Sequence, residues 1–238
     1  MKHIKIAKLA GIAMLSTVIL MACKDSNQAP GDLPPAHLII AETVDFDAEP
    51  SSIEAHYTEE GQNWLRMAFP DLTHRHYALK HIGKQAPDVS FKTVNNKEHV
   101  VREIDEPTIF YFTHTASEVT KEMAGYMETF QKEREDIDVY SIYPYDDVTS
   151  VESFYKDNNL DFDKDHVAVG EQAVNLSLSL DVYDVPLLVY VDETQTISYT
   201  AVGFRDLVFL NDHAESAFGE QPFYKWIDVP FEGDKEIG

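Results

Sequence analysis

Cysteine is almost missing from this chain: its 238 residues include one, Cys23. A lone thiol closes no internal disulfide, so the fold has to be held by packing alone, and two-thiol redox chemistry within one molecule is excluded. Basic residues are scarce as well. Against 42 Asp and Glu there are 19 Lys and Arg, a formal net charge of −23, which repels phosphate backbones and anionic lipid surfaces alike. Nucleic acid is not an expected partner. Internal repeats are absent, and so is the glycine-centred oxygen-ligand spacing of an EF-hand, so acidic runs such as Asp161-Phe-Asp-Lys-Asp165 read as solvated loops. What is present is a globular composition, 44% hydrophobic with 11% aromatic residues, in a length that suits one domain plus an N-terminal extension.

The extension opens with Lys2, Lys5 and Lys8, no acid, and an apolar run from Leu9 to Ala22, the build of a secretory signal rather than a spanning helix. Its end, Leu20-Met21-Ala22-Cys23, resembles the lipobox of bacterial lipoproteins. The resemblance implies that residues 1–22 are removed and that Cys23 is lipidated as the first mature residue, which leaves the mature protein without a free thiol. Residues 23–35 carry on as a polar segment rich in Pro and Gly, a tether that holds the domain off the membrane. Lys24 stands where aspartate favours inner-membrane retention in enteric bacteria. The resemblance therefore points to a lipid-anchored, periplasm-facing protein of the cell envelope, on the outer rather than the inner membrane.

Residues 36–82 read as an N-terminal extension of mixed pattern. Leu38-Ile39-Ile40 is a short apolar run, and Ser51 to Phe69 suits a helix interrupted at Gly61, with Ile53, Tyr57, Trp64, Leu65 and Met67 as buried candidates. His74, His76 and His81 follow. A His-x-His pair on a strand turns both rings to one face, where a metal can be held. Arg75 lies between these two and no well-spaced fourth ligand accompanies them, so surface histidines are the expectation, with no metal and no cofactor.

From Gly83 the pattern sharpens. Thr108–Thr113 is β-branched and aromatic without a charge, as a central strand covered on both faces requires. Val119, Met123, Tyr126, Met127 and Phe130 make one helical stripe. Asp138–Ile142 reads as a strand broken by Tyr143–Asp147, followed by a helix with Val148, Val151, Phe154 and Tyr155 on one side and a short strand at His166–Val169. Gln172–Tyr183 alternates like a strand at Val174, Leu176, Leu178, Leu180 and Val182. Leu187–Asp192 and Thr196–Gly203 form an antiparallel hairpin around Glu193-Thr-Gln195, Asp206–Phe218 a last helix, and residues 219–238 an aromatic tail. Strand and helix in alternation argue an α/β class built on a βαβ unit.

Two stretches carry a resemblance: Glu106–Met123 (EPTIFYFTHTASEVTKEM), running from strand into helix, and Asp184–Asp192 (DVPLLVYVD), where Val-Pro opens a strand. With Gly83–Phe91 (GKQAPDVSF) they make residues 83–218 resemble a TlpA-like, redoxin (AhpC-TSA-related) domain of the thioredoxin superfamily. The resemblance implies a thioredoxin-like fold, a central mixed β-sheet flanked by helices, with a helix over Gln172–Tyr183 and a cis Val185-Pro186 bond facing the active site. In that family the strand leads into Trp-Cys-x-x-Cys. Matching on Lys121-Glu122-Met123 places Thr115 at the tryptophan and Ala116 and Val119 at the cysteines, and neither supplies a thiolate.

Thr115-Ala-Ser-Glu118 instead has the form of a capping box. His114, Ser117 and Glu118 can be weighed as base, nucleophile and orienting acid, although sequence neighbours seldom assemble into a triad. The expectation is a redox-inactive domain whose degenerate active-site positions are Thr115, Ala116, Ser117, Glu118 and Val119. A groove walled by His114, Val185 and Pro186 would bind a polypeptide or partner protein by strand addition. The alternatives are non-thiol enzyme or metal chemistry at His114 or at His74, His76 and His81, and a purely structural envelope role.

The anchoring reading is tested by Cys23→Ser. The variant is expected to escape lipidation and to accumulate in soluble or unprocessed form; membrane fractionation with an unchanged mature mass would contradict it.

Overall fold

A computed structural model describes residues 59–219. The leader, Cys23, the tether, Leu38–Ile40 and the tail from 220 onward lie outside the described residues. The chain begins with two helices, α1 (Glu59–Ala68) and α2 (Leu72–His81), and a two-stranded antiparallel ribbon of β1 (Ser90–Lys92) and β2 (Glu98–Val100). The main body is β3 (Thr108–Phe112), α3 (Glu118–Glu133), β4 (Asp138–Tyr143), α4 (Val148–Asp157), β5 (Val167–Val169), α5 (Gly170–Ser179), β6 (Leu187–Val191), β7 (Ile197–Val202) and α6 (Leu207–Phe218). Its five-stranded sheet has the order β5-β4-β3-β6-β7. β3, β4 and β5 are parallel, whereas β6 runs antiparallel to both β3 and β7. This is a thioredoxin-like fold, α/β with a mixed sheet between helices.

Alternation along β3 divides the core. Ile109 and Tyr111 face Met123, Met127 and Phe130 of α3 and Leu210 and Ala214 of α6. Phe110 and Phe112 face Phe91 of β1 and Ala173, Leu176 and Leu180 at and after α5. The latter three fall at helical spacing, which is why 170–179 forms a helix despite its alternating pattern. Of the alternating residues, Val174 is half-buried and Leu178 exposed. The α3 stripe keeps Met123, Met127 and Phe130, with Tyr126 partly buried against it, but starts one residue later than expected. Thr120, Met123, Ala124, Met127 and Phe130 are buried, so Val119 lies outside the stripe and is 38% exposed.

The residues before Gly83 differ most from expectation. Gly61 does not interrupt α1, and Met67 is exposed while Leu65 and Phe69 are fully buried in the core shared with α3 and α6. The His-x-His pair stands on helix α2, not on a strand, so a turn of about 100° per residue separates the rings. His74 is buried with Nε2 3.1 Å from Thr200 Oγ1 of β7. His81 Nε2 lies 3.4 Å from an Asp181 carboxylate oxygen. The next segment covers the exposed edge of β7: Gly83 N–H donates to Ile197 C=O, and Ile197 N–H to Lys84 C=O, each at 2.8 Å.

Burial pushes His74 down to about 4, with Arg205 acting in the same direction and Asp71 opposing. The unfolded chain takes up this proton near pH 6.5 and the folded chain only near 4, so stability falls with pH inside that window and is flat above it. Thermal unfolding between pH 7 and 4 is expected to show this loss. His74→Gln should remove up to about 3 kcal/mol of it; an unchanged slope in the variant would contradict the assignment. His81 and His213, lowered by burial to about 4 and about 3, and His99, also lowered by burial, add to the slope in the same direction.

Candidate functional site

The site is the junction between the end of β3 and the start of α3. Thr113 leaves the strand with its N–H on Ile142 C=O at 2.9 Å. Its hydroxyl meets that of Thr120 at 2.7 Å, both side chains fully buried, which pins the first turn of α3 to the strand. Ser117 is the N-cap residue, in extended conformation, and its side chain makes no capping bond. The expected capping box does not form. Thr115 is taken up elsewhere: its N–H and hydroxyl both donate to the Asp146 carboxylate, at 3.1 and 2.5 Å. A carboxylate acceptor makes a stronger bond than a neutral one, and Asp146 is delivered there by the loop between β4 and α4. The next residue, Asp147, caps α4 by accepting from Ser150 N–H at 2.8 Å.

The N-cap position of α3 and the residue one turn later are Ser117 and Thr120, one step beyond Ala116 and Val119. Ser117 is half-exposed and Thr120 buried, whereas Ala116 and Val119 are both exposed. Glu118 is exposed and opens the helix, where its charge suits the N-terminal end of the dipole.

Strand β6 supplies the facing wall. Phe112 pairs with Leu187, so Thr113 and Pro186 are the next positions along adjoining strands. The Val185-Pro186 bond is cis. Val185 N–H donates to its neighbour Asp184 Oδ1 at 2.8 Å, and the Val185 carbonyl accepts no hydrogen bond among the described residues. Pro186 is buried and its carbonyl accepts from Gly203 N–H at 2.8 Å. Gly203 has φ of +81°, a left-handed conformation that a side chain would strain. Beside these anchors stand exposed apolar groups: Tyr145, 75% exposed, next to Asp146, and Phe204, 38% exposed, next to Gly203 with its ring 6.0 Å from that of Tyr126.

His114, Ser117 and Glu118 are not brought together as a triad. Their side chains make no hydrogen bond to one another, and the link between them is Ser117 N–H to His114 C=O at 3.4 Å. Beneath the site the phenols of Tyr111, Tyr143 and Tyr155 are all pushed up by burial and stay neutral. His74, His76 and His81 lie on α2, and among the described residues no three His, Cys, Asp or Glu are grouped to hold a metal ion. Sequence reasoning missed Asp146, Tyr145, Phe204 and the Thr113–Thr120 pair. The only local signal for them is the polar break Tyr143-Pro-Tyr-Asp-Asp147 and the Gly203-Phe204 step after a strand.

No family model matches the chain, and no curated protein matches it. Solved structures do. StoA from Bacillus subtilis is 16% identical over 53% of this chain and 97% of that one, with a TM-score of 0.46. A thiol:disulfide interchange protein of the thioredoxin family from Chlorobium tepidum is 16% identical over 57% and 96%, at 0.47. The thioredoxin domain of a thiol-disulfide oxidoreductase from Bacteroides vulgatus is 10% identical over 53% and 91%, at 0.44.

Ser117→Cys is expected to give a thiol that titrates below the ordinary value of about 8.5, because it caps a helix whose first N–H groups have no side-chain partner. Combined with Thr120→Cys it should close a disulfide one helical turn long. Two thiols of ordinary pKa that never pair under oxidant would place the helix start wrongly.

Proposed function

We propose that this chain is a redox-inactive thioredoxin-fold lipoprotein of the bacterial envelope, anchored through Cys23 on the outer membrane, which binds an extended polypeptide at the former active site. The observation that carries the reading is the Val185 carbonyl, unpaired among the described residues, next to Pro186, whose partner Gly203 is followed by the exposed Phe204; the exposed Val119 and Tyr145 belong to the helix start without a thiol and to the loop bonded to it. A free backbone acceptor next to apolar surface is what strand addition uses: main-chain bonds give affinity and side-chain contacts give selectivity. The net charge of −23 favours a basic or neutral partner over an acidic one.

A photo-crosslinking residue at Ala116 in the native envelope is expected to give polypeptide adducts that the same residue at Met67, exposed on α1, does not give. Tyr145→Ser and Phe204→Ser together should reduce them. Equal adducts from both positions, or thiol-dependent reduction of insulin by the purified full-length protein, would overturn the reading.

A further inference from the structure

A cleft of about 400 Å3 opens beside the C-terminal half of α3, away from the site at its N-terminus. That volume is in the range of small-molecule pockets. Two aromatic residues, Tyr111 from β3 and Tyr155 from α4, form part of its inner wall. The rim is charged. Glu128 of α3, Glu135 just past it, and Asp161 and Asp163 of the loop before β5 set four carboxylates against Lys132 and His166.

Lys132 shows what this rim accepts. Its ammonium donates to Glu128 and, at 3.1 Å, to Asp161 Oδ2, tying helix to loop across the opening. The side chain is nevertheless 63% exposed, and such exposed pairs are held weakly. Asp163 is met by His166 Nδ1 at 2.7 Å, while Glu135 stands exposed at the end of the row. An anion would meet repulsion here, and a neutral apolar molecule would leave the rim unused.

We propose that this cleft binds a small organic cation, an ammonium or guanidinium group on a short apolar chain. The charge lies on the rim carboxylates, where Lys132 now stands in for it, and the chain lies against Tyr111 and Tyr155. Carboxylates recognise such groups by charge-assisted hydrogen bonds. The overall negative charge raises the local concentration of cations. The site does not depend on polypeptide binding at the other end of α3.

Calorimetric titration of the full-length protein with butylammonium, with butanol and butyrate as neutral and anionic counterparts, tests the assignment. Butylammonium should bind saturably, less tightly as salt is added, butanol roughly ten-fold more weakly, and butyrate not at all. Asp163→Asn and Glu135→Gln should each weaken butylammonium several-fold. Lys132→Met, which vacates Glu128 and Asp161, should tighten it, a gain that misfolding does not produce. Butanol binding as well as butylammonium, no saturable binding to either the wild type or Lys132→Met, or no gain in that variant would overturn the proposal.

Discussion

Strand β3 has no side that faces water. All five of its residues are buried, it pairs with β4 along one edge and β6 along the other, and its two faces need two separate layers of apolar side chains. A buried strand that left any backbone group unpaired would lose more than a hydrogen bond contributes, so both neighbours are obligatory. The parallel neighbour requires a crossover, which is α3, and the antiparallel neighbour brings the Val185-Pro186 turn back to the same end. The meeting of a helix start and a proline turn at one end of the sheet follows from how this strand is buried.

With no internal disulfide available, the excess of acid does more than solvate the surface. Asp71, Asp147 and Asp206 cap α2, α4 and α6 by accepting from the N–H groups of His74, Ser150 and Phe209, each worth about 1 kcal/mol. Asp192 organises the β6–β7 turn by accepting from the N–H and hydroxyl of Thr194 and the N–H of Thr196. Asp146 ties its loop to Thr115 ahead of α3. Local carboxylate-to-backbone bonds of this kind fix helix ends and turns without a covalent link, and they lie at short sequence separation except for Asp146, which reaches across to Thr115.

That distinction explains what was legible in the sequence. β3, β4, the β6–β7 hairpin and the stripe of α3 could be read because their periodicity is local and strong. So was the missing thiol pair, since an absence needs no three-dimensional context. Helix α2 was not legible: its apolar residues, Tyr77, Ala78 and Leu79, are consecutive, because it lies across the sheet edge and contacts both core layers. A helix buried on two sides loses the single stripe by which helices are recognised. The capping box failed for the opposite reason. Thr115 and Glu118 have the right local spacing, but a carboxylate 31 residues away in sequence takes both donors of Thr115.

The start of α3 carries no thiol, and its geometry is set by other groups. Buried Thr113 and Thr120 hold the first turn in place through a bond between hydroxyls, so the helix start does not depend on a disulfide or a bound substrate for its position. The N–H groups of that first turn have no intrahelical acceptor and no capping side chain. The Val185 carbonyl is an acceptor without a donor among the described residues. An extended backbone presents N–H and C=O groups in alternation, and can pair with backbone donors and acceptors of these kinds without any side chain taking part. On the proposed function, affinity then comes from the main chain of whatever lies in the groove, and Tyr145 and Phe204 decide which sequences lie there well. A surface of that kind recognises conformation first and sequence second.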